Sequence, residues 1–196
     1  MFDHILLVVF WIAFGVLHSV LAAGWWKLKM QAWLGANYKY YPLAYSIFAA
    51  VTMILILVFQ FTMQSPLLFP MPLWAKMLAG IPVLAGLAIM LVICRKYFFY
   101  LSGISVFYKT QPDPVLQTNG LHRYMRHPLY FGTLLFIWSL FLMMPYLNHL
   151  LACIIITVYT LLGAQIEEKK LVEQFGEKYI EYKKQVPMIV PRLRRV

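Results

Sequence analysis

Long apolar runs separated by short polar connections dominate the pattern of this chain, and the run lengths predict its elements. Apolar character is sustained over residues 5–23, 43–61 and 73–93, over a shorter stretch at 130–144, and over 147–163. A helix rising 1.5 Å per residue needs about 20 such residues to cross the hydrocarbon of a bilayer. The runs therefore predict an all-α fold, an integral membrane bundle of about five transmembrane helices. Pro42 and Pro72 each open a run, as proline does in a first helical turn. Trp25, Trp26, Tyr38, Tyr40 and Tyr41 stand where an interfacial aromatic belt is expected. Only a tight turn around 145–149 separates the last two runs, so those helices should form an antiparallel hairpin. The first run is too long for a secretory signal and lacks its basic start and small-residue cleavage site. The expected organisation is a single domain over 1–196. Residues 1–93 would form a three-helix membrane scaffold; residues 94–196 would hold a loop, the hairpin and a polar tail.

Composition narrows the class further. Of 196 residues, 62% are apolar and 12% charged, against about 25% charged in soluble domains. A water-soluble globular domain is excluded, as is a disordered chain. Cys94 and Cys153 belong to no CxxC or Cys/His cluster, so they read as structural thiols and no metal site is expected. The formal charge of +10 acquires its meaning from where it falls. Sixteen of the seventeen Lys and Arg residues lie in 24–41, 94–129 and the tail after Gly163, with Lys76 the exception. In a five-span arrangement those segments share one side, which places the amino terminus outside and the tail in the cytosol. A multi-pass protein of a prokaryotic cell membrane is expected, with the bilayer rather than nucleic acid as its partner.

The polar residues concentrate in two stretches. One is 117–132, QTNGLHRYMRHPLYFG; the other is 165–173, QIEEKKLVE, just after the fifth run. Because the hairpin is antiparallel, the start of its first helix and the end of its second should lie side by side. Arg126, His127 and Tyr130 are thereby expected near Glu167 and Glu168. Such a cluster at the mouth of a helical hairpin suits a polar ligand with an apolar partner. Plainer readings stay open: Arg126 and His127 as interfacial anchors, and the glutamates as a solvated helix face. Within the membrane, His18 beside Ser19 is either a functional site or a histidine hydrogen-bonded between helices. The aromatic set Tyr97, Phe98, Phe99, Tyr100, Phe107 and Tyr108 reads either as an acceptor tunnel or as interfacial packing. The stretch 175–185 is amphipathic and basic, and is expected to lie along the cytosolic surface.

The string RHPLYFG, a two-helix hairpin, and then QIEEKKLVEQFGEKYIEYKKQVP resemble the membrane methyltransferase superfamily over roughly 114–191. That group includes isoprenylcysteine carboxyl methyltransferases, phospholipid methyltransferases, methanethiol S-methyltransferases and NnrU-type proteins. The resemblance implies S-adenosylmethionine as cofactor, held at the cytosolic ends of the last two spans. It also implies cofactor contacts from Pro114, Val115, Leu116 and Gln117, from His122 (where prenylcysteine enzymes commonly carry tyrosine), and from His127, Pro128, Leu129 and Tyr130. Glu167 matches the cofactor-contacting glutamate and Glu168 is its neighbour. Arg126, His127 and Glu167 are the expected catalytic residues, Arg126 and His127 steadying the methionyl carboxylate. One position departs from the prenylcysteine pattern: a substrate-binding arginine is replaced here by Gly163. With the ending around Val186-Pro187-Met188, this leans toward the methanethiol branch. The implied activity is methyl transfer to a small or lipophilic acceptor, most readily an apolar or volatile thiol. A prenylcysteine-like carboxyl or phospholipid amine acceptor, and an NnrU-like role without catalysis, are the alternatives.

Overall fold

The computed structural model describes residues 1–101 and 115–192, with the backbone alone for 96–101. Among the described residues seven α-helices follow in order: α1 (Phe2–Ala22), α2 (Gly24–Leu34), α3 (Tyr41–Thr62), α4 (Leu73–Leu101), α5 (Pro128–Met143), α6 (Leu147–Phe175) and α7 (Glu177–Gln185). Short 3-10 turns stand at Gly35–Tyr40 and Gly120–Arg123. The fold is all-α. By length and composition α1, α3, the Leu73–Arg95 part of α4, and α6 suffice to cross a membrane, while α5 is a shorter apolar helix. Pro42 lies in the first turn of α3 and Pro128 in that of α5, where a missing N–H leaves no helical bond unmade. At 29 residues, α6 is about 43 Å long. Its apolar run ends at Gly163, so its last turns extend past the stretch that matches hydrocarbon.

The chain resolves into two compact units. The first holds Met1–Leu68 and Tyr146–Ile155. Its helices carry much of their apolar surface outward: Val16, Ile54 and Leu55 are all exposed, as lipid-facing positions are. Inside, the contacts are neutral hydrogen bonds. Trp11 Nε1 donates to Gln60 Oε1 (2.9 Å), and Asn148 Nδ2 donates to the Gln60 carbonyl (2.7 Å). Ser65 Oγ accepts from the Asn148 amide (2.9 Å) and contacts His4 Nε2 (3.0 Å). These bonds join α1, α3 and the first turn of α6, satisfying buried Gln60 and Asn148, which would otherwise be costly away from water. The Tyr45 hydroxyl lies 2.9 Å from His18 Nδ1 and donates to the His18 carbonyl (3.2 Å). His18 is thus a hydrogen-bonded histidine between α1 and α3, one of the two readings its sequence context left open.

The second unit holds Phe69–Lys96 and the described parts of Asp113–Pro145 and Ile156–Val196. Here α4 and α5 approach backbone to backbone. A Cβ added at Gly86 would come within 2.7 Å of the Gly132 carbonyl oxygen, and one at Gly132 within 2.9 Å of Ile89. Hydrogen alone fits at both positions, which is why this crossing uses glycine. The contacts of α5 with α6 run in opposite chain directions. Trp138 Nε1 donates to Thr157 Oγ1 (3.0 Å), while Tyr130 meets Glu167 and Arg126 meets Glu168. The antiparallel hairpin expected from the short turn is therefore formed.

Candidate functional site

The site stands where α5 begins and the apolar part of α6 has ended. His127 precedes the first residue of α5 and is buried, together with Pro128. Glu167 and Glu168 are neighbours on α6, yet their surroundings differ. Glu168 is buried and receives donors from four side chains. Arg126 grips it from Nε to Oε1 (2.7 Å) and from Nη2 to Oε2 (2.9 Å), a two-point geometry that suits guanidinium and carboxylate. His127 Nε2 (2.9 Å) and the Tyr179 hydroxyl (2.7 Å) donate to Oε1, and Lys183 Nζ lies 3.3 Å from Oε2. The Glu167 side chain is 47% exposed. It accepts from the Tyr130 hydroxyl through Oε2 (2.8 Å), and the same oxygen lies 3.6 Å from His127 Nδ1.

His127 is thus held between two carboxylates, and its ring stacks on Tyr130 with centroids 5.3 Å apart and planes within 12°. Burial alone would lower its pKa; hydrogen bonding to Glu167 and Glu168 outweighs that and raises it above the ordinary histidine value. Burial raises the Tyr179 pKa, and the carboxylate it donates to adds to the effect. That phenol therefore stays a donor.

Arg126 is held on its other side as well. Its Nη1 donates to the carbonyls of Lys183 (3.1 Å) and Val186. With the two bonds to Glu168, four of its five N–H groups are engaged inside the protein. The backbone completes the arrangement: Arg126 N–H donates to the Pro187 carbonyl (2.9 Å), His127 N–H to Met188 (2.9 Å), and Arg192 N–H to Tyr124 (3.1 Å). The tail after α7 is bonded along 124–127. His122 Nδ1 lies 3.1 Å from the Arg126 carbonyl oxygen, and the His122 carbonyl accepts from the Tyr182 hydroxyl (2.5 Å).

Direct contacts therefore join His122, Arg126, His127, Tyr130, Glu167 and Glu168. Leu129 is half-buried in the first turn of α5, its carbonyl accepting from Thr133 (3.0 Å). Val115, Leu116 and Gln117 stand on irregular chain ahead of the cluster; Val115 is exposed, and Gln117 Nε2 donates to the Val115 carbonyl (3.4 Å). Pro114 lies outside the described residues, as do the side chains of the aromatic set around 97–108. Sequence reasoning missed Tyr179, Tyr182 and Lys183. The amphipathic 175–185 stretch forms α7, which turns Tyr179 and Tyr182 inward as buried residues against this cluster. The signal was present in the three-residue spacing of two tyrosines among charged neighbours, which puts both on one helix face.

An all-α chain with several membrane-length apolar helices and a polar cluster at the base of its last hairpin is a polytopic membrane protein with one concentrated polar site. The sequence profile of the phospholipid methyltransferase family matches residues 73–178, more than half of the chain, and the chain belongs to that family. Among curated relatives, methanethiol S-methyltransferase of Pseudomonas deceptionensis is 45% identical over 83 residues, 42% of this chain and 31% of that protein. The methanethiol S-methyltransferase of Crocosphaera subtropica is 43% identical over 77 residues, 38% of this chain and 29% of that protein. Protein-S-isoprenylcysteine O-methyltransferase of Schizosaccharomyces pombe is 35% identical over 86 residues, 42% and 36% of the two chains. The matched stretch spans about a third of the length of these relatives. No solved structure matches.

Proposed function

We propose that this chain is an integral-membrane methyltransferase that uses S-adenosylmethionine and methylates a small or lipophilic thiol. The observation that carries the reading is the contrast between the two glutamates within the family-matched region. Glu168 is saturated from inside the protein, whereas Glu167 is half-exposed and engages only Tyr130 and His127 among the described residues. Its other oxygen, Oε1, fits the hydroxyl or amino donors of the cofactor, so the residues present suit that group. Tyr130 and His127 would flank it, with Pro128, Leu129, His122 and 114–117 as further contacts.

When bound, S-adenosylmethionine supplies a methyl group already activated by its cationic sulfur. What remains for the chain is alignment of two reactants and exclusion of water. The buried Arg126–Glu168–Tyr179 network serves this by holding His127 in place, and His127 with Tyr130 orients Glu167. Arg126 is then a positioning residue rather than a direct ligand of the methionyl carboxylate. A thiol, ionising near 8.5 when unperturbed, requires little further activation. Relatives named methanethiol S-methyltransferases support the thiol. So does Gly163, which offers no guanidinium to a prenylcysteine carboxylate; a Cβ there would have only the Tyr130 hydroxyl near it, at 3.9 Å. The basic segments support an orientation with the site on the cytosolic side of a prokaryotic cell membrane, cofactor arriving from the cytosol and acceptor from the bilayer.

Calorimetric titration of the detergent-solubilised chain with S-adenosylmethionine tests the reading. Wild type should bind, and Glu167→Ala should bind about 10-fold more weakly or worse, as loss of a charged hydrogen bond implies, with its circular dichroism unchanged. No binding by wild type at millimolar cofactor would overturn the proposal. Membranes given labelled cofactor with a thiol, a prenylcysteine and a phospholipid should label the thiol; label in phospholipid alone would overturn the acceptor.

A further inference from the structure

Between α1 and α3, within the first unit, lies a half-open cavity of about 300 Å³. It falls outside the family-matched region, which begins at residue 73. We propose that this groove holds one acyl chain of an anionic phospholipid, as a bound lipid distinct from any methyl acceptor.

The lining fixes the chemistry of the occupant. Phe10, Phe14 and Leu17 from α1 face Phe48, Leu55 and Ile56 from α3, and polar side chains enter only as His18, Tyr45 and Thr52. The Thr52 hydroxyl is turned to its own helix, donating to the Phe48 carbonyl (2.7 Å). A water molecule needs two to four polar partners to be held, and the apolar body of the groove offers none. Phe10, Leu17, Phe48 and Leu55 are themselves exposed, so the groove opens on the lipid-facing surface of these helices.

Its dimensions select a lipid chain over a helix. The lining runs from residue 10 to 18 on α1 and from 45 to 56 on α3, which is about 12–16 Å at 1.5 Å per residue. That is roughly half of a hydrocarbon core ~30 Å thick, the depth of a single leaflet. A transmembrane helix from a second copy would need the full thickness and a channel about 10 Å wide.

The groove is also polarised along its length. His18 and Tyr45, bonded to each other, stand one turn from the end of α1 and the start of α3. Those helix ends are tied together by the Tyr41 hydroxyl donating to the Leu21 carbonyl (2.7 Å). The segment between them, 24–40, carries exposed Lys27, Lys29 and Lys39, with Lys29 Nζ 5.4 Å from the Trp25 ring centroid and Lys39 Nζ 4.9 Å from that of Tyr40. Apolar interior, polar mouth and a basic, aromatic rim follow the order of chain, ester region and anionic headgroup.

Native mass spectrometry of the full chain, released from micelles after addition of phosphatidylglycerol or phosphatidylcholine, tests this directly. Wild type should retain one phosphatidylglycerol, several-fold more often than phosphatidylcholine. Ala13→Trp and Ala49→Trp, which fill the groove, should abolish retention; Ala13 is exposed, so a larger side chain there leaves the core intact. Replacing Lys27, Lys29 and Lys39 together by Gln should keep a bound lipid but erase the headgroup preference. Wild type without bound lipid, retention unaffected by both Trp substitutions, or a dimer dispersed by them would each overturn the proposal.

Discussion

The two units solve the problem of polar groups in an apolar protein by different means. In the first, buried Gln60 and Asn148 are satisfied by neutral partners spread along the helices. In the second, charged side chains gather at one place: Arg126, His127 and Lys183 converge on Glu168. Neutral hydrogen bonds inside a membrane bundle are individually modest, about 0.6 kcal/mol each, and serve to set helix register. A buried carboxylate tolerates no such economy, since removing its cations leaves an uncompensated charge. The charged set accordingly stands where the apolar run of α6 is over, and it secures the tail and α7 as well as the hairpin. The same contrast recurs between adjacent residues: Glu168 is saturated by donors from the protein, and its neighbour Glu167 stays half-exposed.

The largest expected effect tests the charged end of this comparison. Glu168→Ala should destabilise the second unit by about 3–5 kcal/mol, read from unfolding in mixed micelles, whereas Glu167→Ala should leave the midpoint nearly unmoved. Equal losses from the two would erase the distinction. Next comes the helix crossing. Gly132→Val should cost about 1–3 kcal/mol by overpacking, because its Cβ would meet Ile89 and the Gly86 carbonyl oxygen. In the first unit, Trp11→Phe deletes one neutral donor and should cost about 0.6 kcal/mol, at most about 1.7; a loss as large as that of Glu168→Ala would make the units alike.

The subtlest effect is in pH. His127 faces Glu167, Glu168 and Arg126, and its pKa is raised in the folded protein. Its contribution to stability is therefore complete below about 6.5, the ordinary histidine value, and is lost as pH rises through the raised one. Unfolding measured from pH 6 to 9 should show wild type losing an advantage over His127→Gln; parallel curves would remove His127 from the charged network.

Much of this was legible in the chain. Each apolar run became helical, since apolar length alone dictates a helix where no water can satisfy the backbone. Helices α1, α3 and α5 match their runs within a few residues, whereas α4 and α6 continue to Leu101 and Phe175, past runs that end at 93 and 163. The hairpin followed from its short turn, and with it the meeting of Arg126, His127 and Tyr130 with the glutamates. The close approach of Gly132 to Gly86 on α4 was not identifiable from local sequence, because it joins residues of two separate helices.

By itself, then, the sequence determined the helical membrane class, the antiparallel hairpin and the gathering of polar groups at its open end, because these depend on run length and turn length. Tertiary structure decided which glutamate is buried, that Arg126 is engaged by the protein itself, and that Tyr179 and Tyr182 of α7 complete the cluster. Those outcomes rest on which face of one helix meets another segment of the chain, and only the packed chain specifies it.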